Sequence, residues 1–398
     1  MSEWKECKLA DVAERFAMGP FGSNIKAENF TNAGVPVIRG TNLNYYKYVD
    51  GAFVFLTEEK ADQLRSSNCF PGDLVFTHRG TIGQVGLIPS GKYPRYVVSQ
   101  SGMKVTVNPK LIDNNFLFYF FKSDRGQYEL LQNESQVGVP SISSPLTSLK
   151  AVTLNLPPLS EQRAIASVLT SLDDKIDLLN RQNKTLEAMA ETLFRQWFVE
   201  EAEVSSEKQI LLGDLIETVS ITHSFPGQQI IFLNTSDIYL GDVINHRFES
   251  VKDLPGQAKK SIEKGDILFS EIRPANGRYA YIDFEANDYV VSTKLMVLRS
   301  KGVLSQSFVY FYLTNHKTLE WLQTLAEARS GTFPQITFDQ LQDLAINVPS
   351  DELLRSSSQL CDGWLRKIRF NHAQIRVLEK IRNALLTKLM SGEVRVEK

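Results

Sequence analysis

Residues 161–198, EQRAIASVLTSLDDKIDLLNRQNKTLEAMAETLFRQWF, contain neither Pro nor Gly. Their seam positions step alternately by four and three through Ile165, Leu169, Leu172, Ile176, Leu179, Asn183, Leu186, Ala190, Leu193 and Trp197. That is the heptad spacing that keeps one face of a helix turned toward a partner helix. At 1.5 Å per residue the helix is roughly 57 Å long, which suits a spacer better than a core element. A partner of the same phase lies in the same chain. Residues 352–390 lack Pro and align Ser357, Cys361, Trp364, Ile368, Asn371, Ile375, Leu378, Arg382, Leu385 and Leu389. The expectation is an antiparallel coiled coil closed within one chain. Asn183 and Asn371 interrupt the two seams, where a buried Asn sets register at some cost in stability; an exposed Asn at a frayed seam edge is the other reading.

Outward from the helices, the chain states one plan twice. Gly72-Asp73-Leu74-Val75-Phe76 returns as Gly265-Asp266-Ile267-Leu268-Phe269, and Tyr96-Val97-Val98-Ser99 as Tyr289-Val290-Val291-Ser292, both 193 residues on. The aromatic stretches from Phe116 and Phe308 correspond, as do Leu154-Asn155-Leu156-Pro157 and Ile346-Asn347-Val348-Pro349. A register held over more than a hundred positions marks an internal tandem repeat of a globular unit followed by a helix. Short Val-, Ile- and Phe-rich runs such as residues 35–39, 74–78, 84–88 and 103–107 read as strands. Residues 116–129 and 308–321 read as helices with an aromatic face. The predicted fold class is therefore α+β, with domains at 1–160 and 201–351 and spacer helices at 161–200 and 352–398.

The 398 residues carry a formal net charge of −2, so no global basic signal points to nucleic acid. The imbalance is local: residues 199–351 hold 13 Lys or Arg against 21 Asp or Glu, so a nucleic-acid partner would require that region to gather its cations on one face. No apolar run approaches the ~18 residues of a membrane span, and the charged first residues do not read as a signal peptide; a cytoplasmic protein is expected. Cys7, Cys69 and Cys361 are odd in number and far apart, which suits buried reduced thiols. The five histidines show no metal-ligand spacing, and neither G-x-G-x-x-G nor G-x-x-x-x-G-K-[ST] occurs. Asn155-Leu156-Pro157-Pro158-Leu159 has letters of a methyltransferase loop but interposes a Leu and lacks the following aromatic; it reads as a turn before the helix. No catalytic residue and no metal ligand is expected.

With the repeat in place, several segments together resemble the specificity subunit of type I restriction-modification systems. They are Gly19-Pro20-Phe21-Gly22-Ser23, residues 36–43 (PVIRGTNL), Gly72-Asp73-Leu74-Val75-Phe76 followed by Arg79-Gly80-Thr81-Ile82-Gly83, residues 156–166 (LPPLSEQRAIA) and residues 193–198 (LFRQWF). The resemblance covers essentially the full length. The second half departs from it where Pro349-Ser350-Asp351-Glu352 replaces a fuller Pro-Pro-x-x-Glu-Gln lead-in and Glu271-Ile272-Arg273-Pro274 replaces Arg79-Gly80-Thr81. The resemblance implies a non-catalytic DNA-binding subunit that reads a bipartite asymmetric target, one part per recognition domain. It implies double-stranded DNA, two methyltransferase subunits and two restriction subunits as partners. S-adenosylmethionine, ATP and magnesium would belong to those partners and not to this chain.

Base edges are read by Arg, Lys, Asn, Gln, Ser and Thr on loops. The candidates in the first domain are Ser23, Lys26, Arg39, Thr41, Asn42, Arg79, Thr81, Ser135, Gln136 and Ser141. In the second they are Thr235, Ser236, Asp237, Arg273, Asn276, Arg278, Lys294, Arg329, Thr332 and Gln335. Trp197 and Phe198 are candidates for docking a methyltransferase, against simple packing on a globular unit. Two other functions remain open on the sequence: a protein–protein adaptor with two modules on a coiled-coil ruler, and the recognition half of a fused enzyme. Salt-dependent duplex binding separates the first from DNA recognition; the lack of catalytic motifs weighs against the second.

Overall fold

Two long helices, Leu159–Arg195 and Asp351–Ser391, run through the computed structural model, which describes residues 4–43, 47–200, 208–329, 334–348 and 350–396. The first is extended by one π-helical turn, Gln196–Glu200. Its start is fixed by Gln162, only 1% exposed, whose amide donates to the Pro157 and Leu111 carbonyls and accepts from the Asp113 N–H at 2.9 Å. The second begins with the Ser350 hydroxyl accepting the Leu353 N–H and with Asp351 and Glu352 in its first turn, where the helix dipole favours negative charge.

By contact density the chain forms two units, residues 1–179 with 374–398 and residues 180–373, so each takes in part of both helices. In the first unit Ile165, Leu169, Ile176 and Leu179 are buried with Ile375, Leu386, Leu389 and Met390, with Leu378 half-buried beside them. In the second, Ala190 and Phe194 share a cluster with Leu354, Cys361, Leu365 and Ile368, with Leu186 packed against it. Ascending numbers on one helix meet descending numbers on the other, which is antiparallel pairing. Asn183 and Asn371, 4% and 0% exposed, face each other with a 2.7 Å bond from the Asn371 amide to the Asn183 carbonyl oxygen. Leu172 is half-buried.

Seam assignments on both helices are corrected. The first helix buries Phe194 and Phe198, not Leu193 and Trp197, which are only half-buried. An α-helix lags a strict seven-residue repeat by about 20° per heptad, and over the four heptads from Ile165 the lag approaches one residue. On the second helix Leu365 takes the buried place expected of Trp364, which is half-buried.

Each globular domain is built on the same pair of four-stranded sheets. In the first, an antiparallel sheet orders Ala13–Met18, Gly102–Val107, Leu74–Thr77 and Val85–Leu87, and a mixed sheet orders Val54–Leu56, Val35–Ile38, Tyr96–Val98 and Asn68–Cys69. In the second, the antiparallel order is Ile216–Thr218, Leu295–Ser300, Ile267–Ser270 and Tyr279–Tyr281, and the mixed order is Phe248–Ser250, Gln229–Leu233, Tyr289–Ser292 and Ala258–Ser261. Lys5–Lys8 pairs with Thr153–Leu156, and Lys208–Leu211 with Ala345–Val348. The expected aromatic helices are each broken in two, Asn114–Lys122 then Asp124–Leu131, and Gln306–Thr314 then His316–Arg329. The cause is a capping residue at the joint: the Ser123 hydroxyl accepts the Gly126 N–H, and the Asn315 side chain accepts the Thr318 N–H. The aromatic faces fill the cores, with Phe121 edge-on to Phe76 at 4.8 Å in the first unit and Phe194 beside Phe308 at 4.9 Å in the second.

The Gly-Asp turns feed buried strands, and their aspartates, themselves buried, each hold a cation. Asp73 holds Lys104 at 2.7 Å, with both side chains almost fully buried, and accepts the Thr106 hydroxyl. Asp266 holds Arg299, which occupies the repeat position of Thr106, at 2.6 Å. Each domain is also fastened to the helix segments of its own unit by charge. Tyr119 and Arg382 meet Asp173 at 2.7 and 2.9 Å while Lys47 donates to Thr170. In the second unit Arg369 bonds Asp242 at 2.8 Å and the Gly241 carbonyl at 2.6 Å, flanked by Tyr281 and Tyr310.

Candidate nucleic-acid interface

In the first unit the polar loops converge because their backbones leave no room between them. Gly19 donates to the Gly102 carbonyl, and a Cβ at position 19 would stand 1.8 Å from the Ser99 carbonyl oxygen. The next loop is bound to the same place by His78, whose N–H donates to the Ser101 carbonyl and whose Nε2 lies 3.1 Å from the Gln100 carbonyl. Burial holds the His78 ring below the usual histidine pKa, with Arg79 opposing protonation too. From there Arg79 pairs with Ser141 in an isolated bridge, Gly80 donates to the Pro140 carbonyl at 2.8 Å, and Ser135 pairs with Ser141 in a two-residue hairpin. Arg79, Thr81 and Gln136 are exposed, and Ser135 and Ser141 half-buried. Arg39 and Thr41 are exposed on a neighbouring turn beside Gln84, and Lys26 is exposed near Glu28.

The second unit repeats this junction with different side chains. Ile272 bridges Gln335, Arg273 donates to the Pro334 carbonyl at 3.2 Å, and Ile336 donates to the Glu271 carbonyl. Arg273 and Asn276 are exposed and Gln335 half-buried. Arg273 has a φ of 45°, in the left-handed region where its repeat counterpart Gly80 sits at 84°. For a residue with a Cβ that conformation costs about 1 kcal/mol or more.

Several candidates are built into the scaffold instead. Asn42 is 3% exposed, its oxygen accepting the Arg39 N–H and its amide donating to the Asp50 and Ala52 carbonyls. Asp237 caps its own turn by accepting the Asn234 N–H, beside half-buried Thr235 and exposed Ser236. The Arg278 guanidinium donates to the Ser236 and Ile238 carbonyls over the Tyr239 ring, and Lys294 pairs with Glu271 at 3.6 Å. Phe198 is 7% exposed and packs on Phe308 at 5.3 Å, so it serves the second unit's core, while Trp197 stays half-buried against the same cluster. Thr332 lies outside the described residues, as do the side chains of Ser23 and Arg329.

Residues 1–188 and 224–353 match the type I restriction modification DNA specificity domain. The chain belongs to that family. It is 40% identical over 184 residues to the type I restriction enzyme HindI specificity subunit of Haemophilus influenzae, a match spanning 46% of this chain and 40% of that subunit. It is 24% identical over 423 aligned positions to the MjaIX specificity subunit of Methanocaldococcus jannaschii, covering 99% and 94% of the two. In fold it is similar to the crystal structure of the type I restriction-modification S subunit from M. genitalium, with a TM-score of 0.63 at 17% identity over 97% and 96% of the chains.

Two positioning residues of this specificity chain escape the sequence. Gln127 donates to the Gly83 and Phe121 carbonyls and so steadies the loop after Arg79; Gln323 accepts the Ala275 N–H and steadies the turn after Arg273. A glutamine on a helix reads as a solvated side chain, and only the break at Ser123 or Asn315 turns these helices toward the loops.

Proposed function

We propose that this chain is the DNA-reading, non-catalytic subunit of a type I restriction-modification complex, each domain reading one part of a split asymmetric target and the helical spacer setting the unread gap. The observation that carries this reading is the duplicated loop junction: one backbone frame, met twice, presenting Arg79, Thr81, Gln136 and Ser141 in one copy and Arg273, Asn276 and Gln335 in the other. A frame that is repeated while its polar side chains change suits two half-sites of different sequence. Methyltransferase and restriction subunits supply S-adenosylmethionine, ATP and magnesium chemistry, and the complex works in the cytoplasm. The acidic balance of residues 199–351 favours the adaptor reading. The decisive experiment is methylome sequencing of cells that express this chain with its methyltransferase partner. N6-methyladenine confined to a split asymmetric motif is the expected result; no new methylation from a purified stable complex would favour the adaptor.

A further inference from the structure

The two junctions differ in one informative way. In the first unit the exposed guanidinium comes from Arg79, in the bridge to Ser141, and the left-handed residue after it is Gly80. In the second unit the bridged residue is Ile272, and the left-handed place itself is taken by Arg273. The entry to the loop is the same, since residue 80 donates to Pro140 as residue 273 donates to Pro334, while the exit is one residue longer in the second unit and holds the turn Pro274–Asn276. The arginine has thus moved by one residue within a fixed frame, into a conformation that glycine adopts with ease and arginine does not. Neither guanidinium makes an ion pair or a side-chain hydrogen bond among the described residues, whereas Arg95, Arg299 and Arg369 in the same domains and helices are all paired. The nearest carboxylate in sequence, Glu271, is engaged by Lys294. An exposed arginine without a side-chain partner among the described residues, and at position 273 a strained one, is poised for a ligand that accepts two parallel bonds.

We propose that Arg79 and Arg273 are the specificity-determining arginines of their half-sites, each reading a guanine through its O6 and N7 edge. This rests on the DNA-reading function proposed above. The geometry of the fork matches guanine in the major groove. Because the two side chains leave one frame at successive positions and from different backbone conformations, they meet different positions of their half-sites. Lysine cannot reproduce the fork, so charge and discrimination are separable.

The test is the methylome and the duplex affinity of the complex with Arg79→Ala, Arg273→Ala, Arg273→Gly and Arg273→Lys. The wild-type motif is expected to hold a guanine in each half. Arg79→Ala should make that guanine degenerate in one half only, and either truncation of Arg273 in the other half only, with a loss of discrimination of about 10-fold or more. Arg273→Gly should melt no lower than wild type, so its effect is not one of misfolding. Arg273→Lys should keep the salt dependence of binding and only part of the guanine preference, because an ammonium still reaches O6 and N7 but without the planar fork; a phosphate contact would leave the preference unchanged. Variants that leave a wild-type motif unchanged, or a split motif without guanine, overturn this assignment alone. The absence of any split motif in the wild type overturns it together with the function on which it rests.

Discussion

At the residue scale, the buried titratable groups give the sharpest expectations. His78 is held neutral in the first unit by burial, so its folded pKa lies below its unfolded value. Its contribution is therefore fully present above about pH 6.5 and is lost as pH falls through the lowered folded value. Thermal melts between pH 7 and pH 5 should show this loss, and His78→Gln should flatten it; an unchanged slope would refute the assignment. Lys104 is a different case, since it stands 1% exposed against Asp73. Lys104→Met leaves a buried carboxylate uncompensated and should cost about 3–5 kcal/mol, read by denaturant unfolding, with the Asp73→Asn second change recovering part of it. The sequence pointed to the turn at Gly72-Asp73 but not to this pair, because a lysine 31 residues away in a strand gives no local sign of burial. The same blindness misplaced Asn42 and Arg278: a polar loop residue reads alike whether it faces a ligand or closes its own turn.

At the element scale, the heptad pattern made both long helices legible and put both asparagines on the seam, without telling a buried pair from an exposed edge. Only one of the two amides is used: the Asn183 side-chain nitrogen and the Asn371 oxygen are buried without a hydrogen-bond partner. Asn371→Leu alone should leave the Asn183 side-chain oxygen without its donor as well and cost about 1–3 kcal/mol, while replacing both with Leu should restore or exceed wild-type stability. If the pair sets register, the double variant should also loosen the preferred gap in the methylated motif, and an unchanged gap would argue for a purely structural role. What the pattern could not supply was the drift at Leu193 and Trp197, which arises because a real helix does not keep a seven-residue beat, nor the breaks at Ser123 and Asn315, where capping competes with a continuous aromatic face.

For the whole molecule, the repeat was the most readable feature and the charge balance the most misleading. A net charge of −2 hides a first domain whose Arg39 and Arg79 are exposed beside a loop junction. A phosphate contact from Arg39 should add to the salt dependence of duplex binding. Arg39→Ala is expected to weaken binding evenly across sequences and lower the salt slope by about one, as fluorescence anisotropy over a salt series would record; a change in sequence preference would instead make Arg39 a base reader.

The short ladders Lys5–Lys8 with Thr153–Leu156, and Lys208–Leu211 with Ala345–Val348, bring the beginning and end of each domain side by side. A backbone ladder is indifferent to most of the side chains it carries. Genetic crossovers placed at these two joints can therefore exchange everything between them as a cassette while the helices stay in register. If each domain reads its own half-site as proposed, a chain carrying an exchanged cassette should keep one half of its methylated motif and change the other.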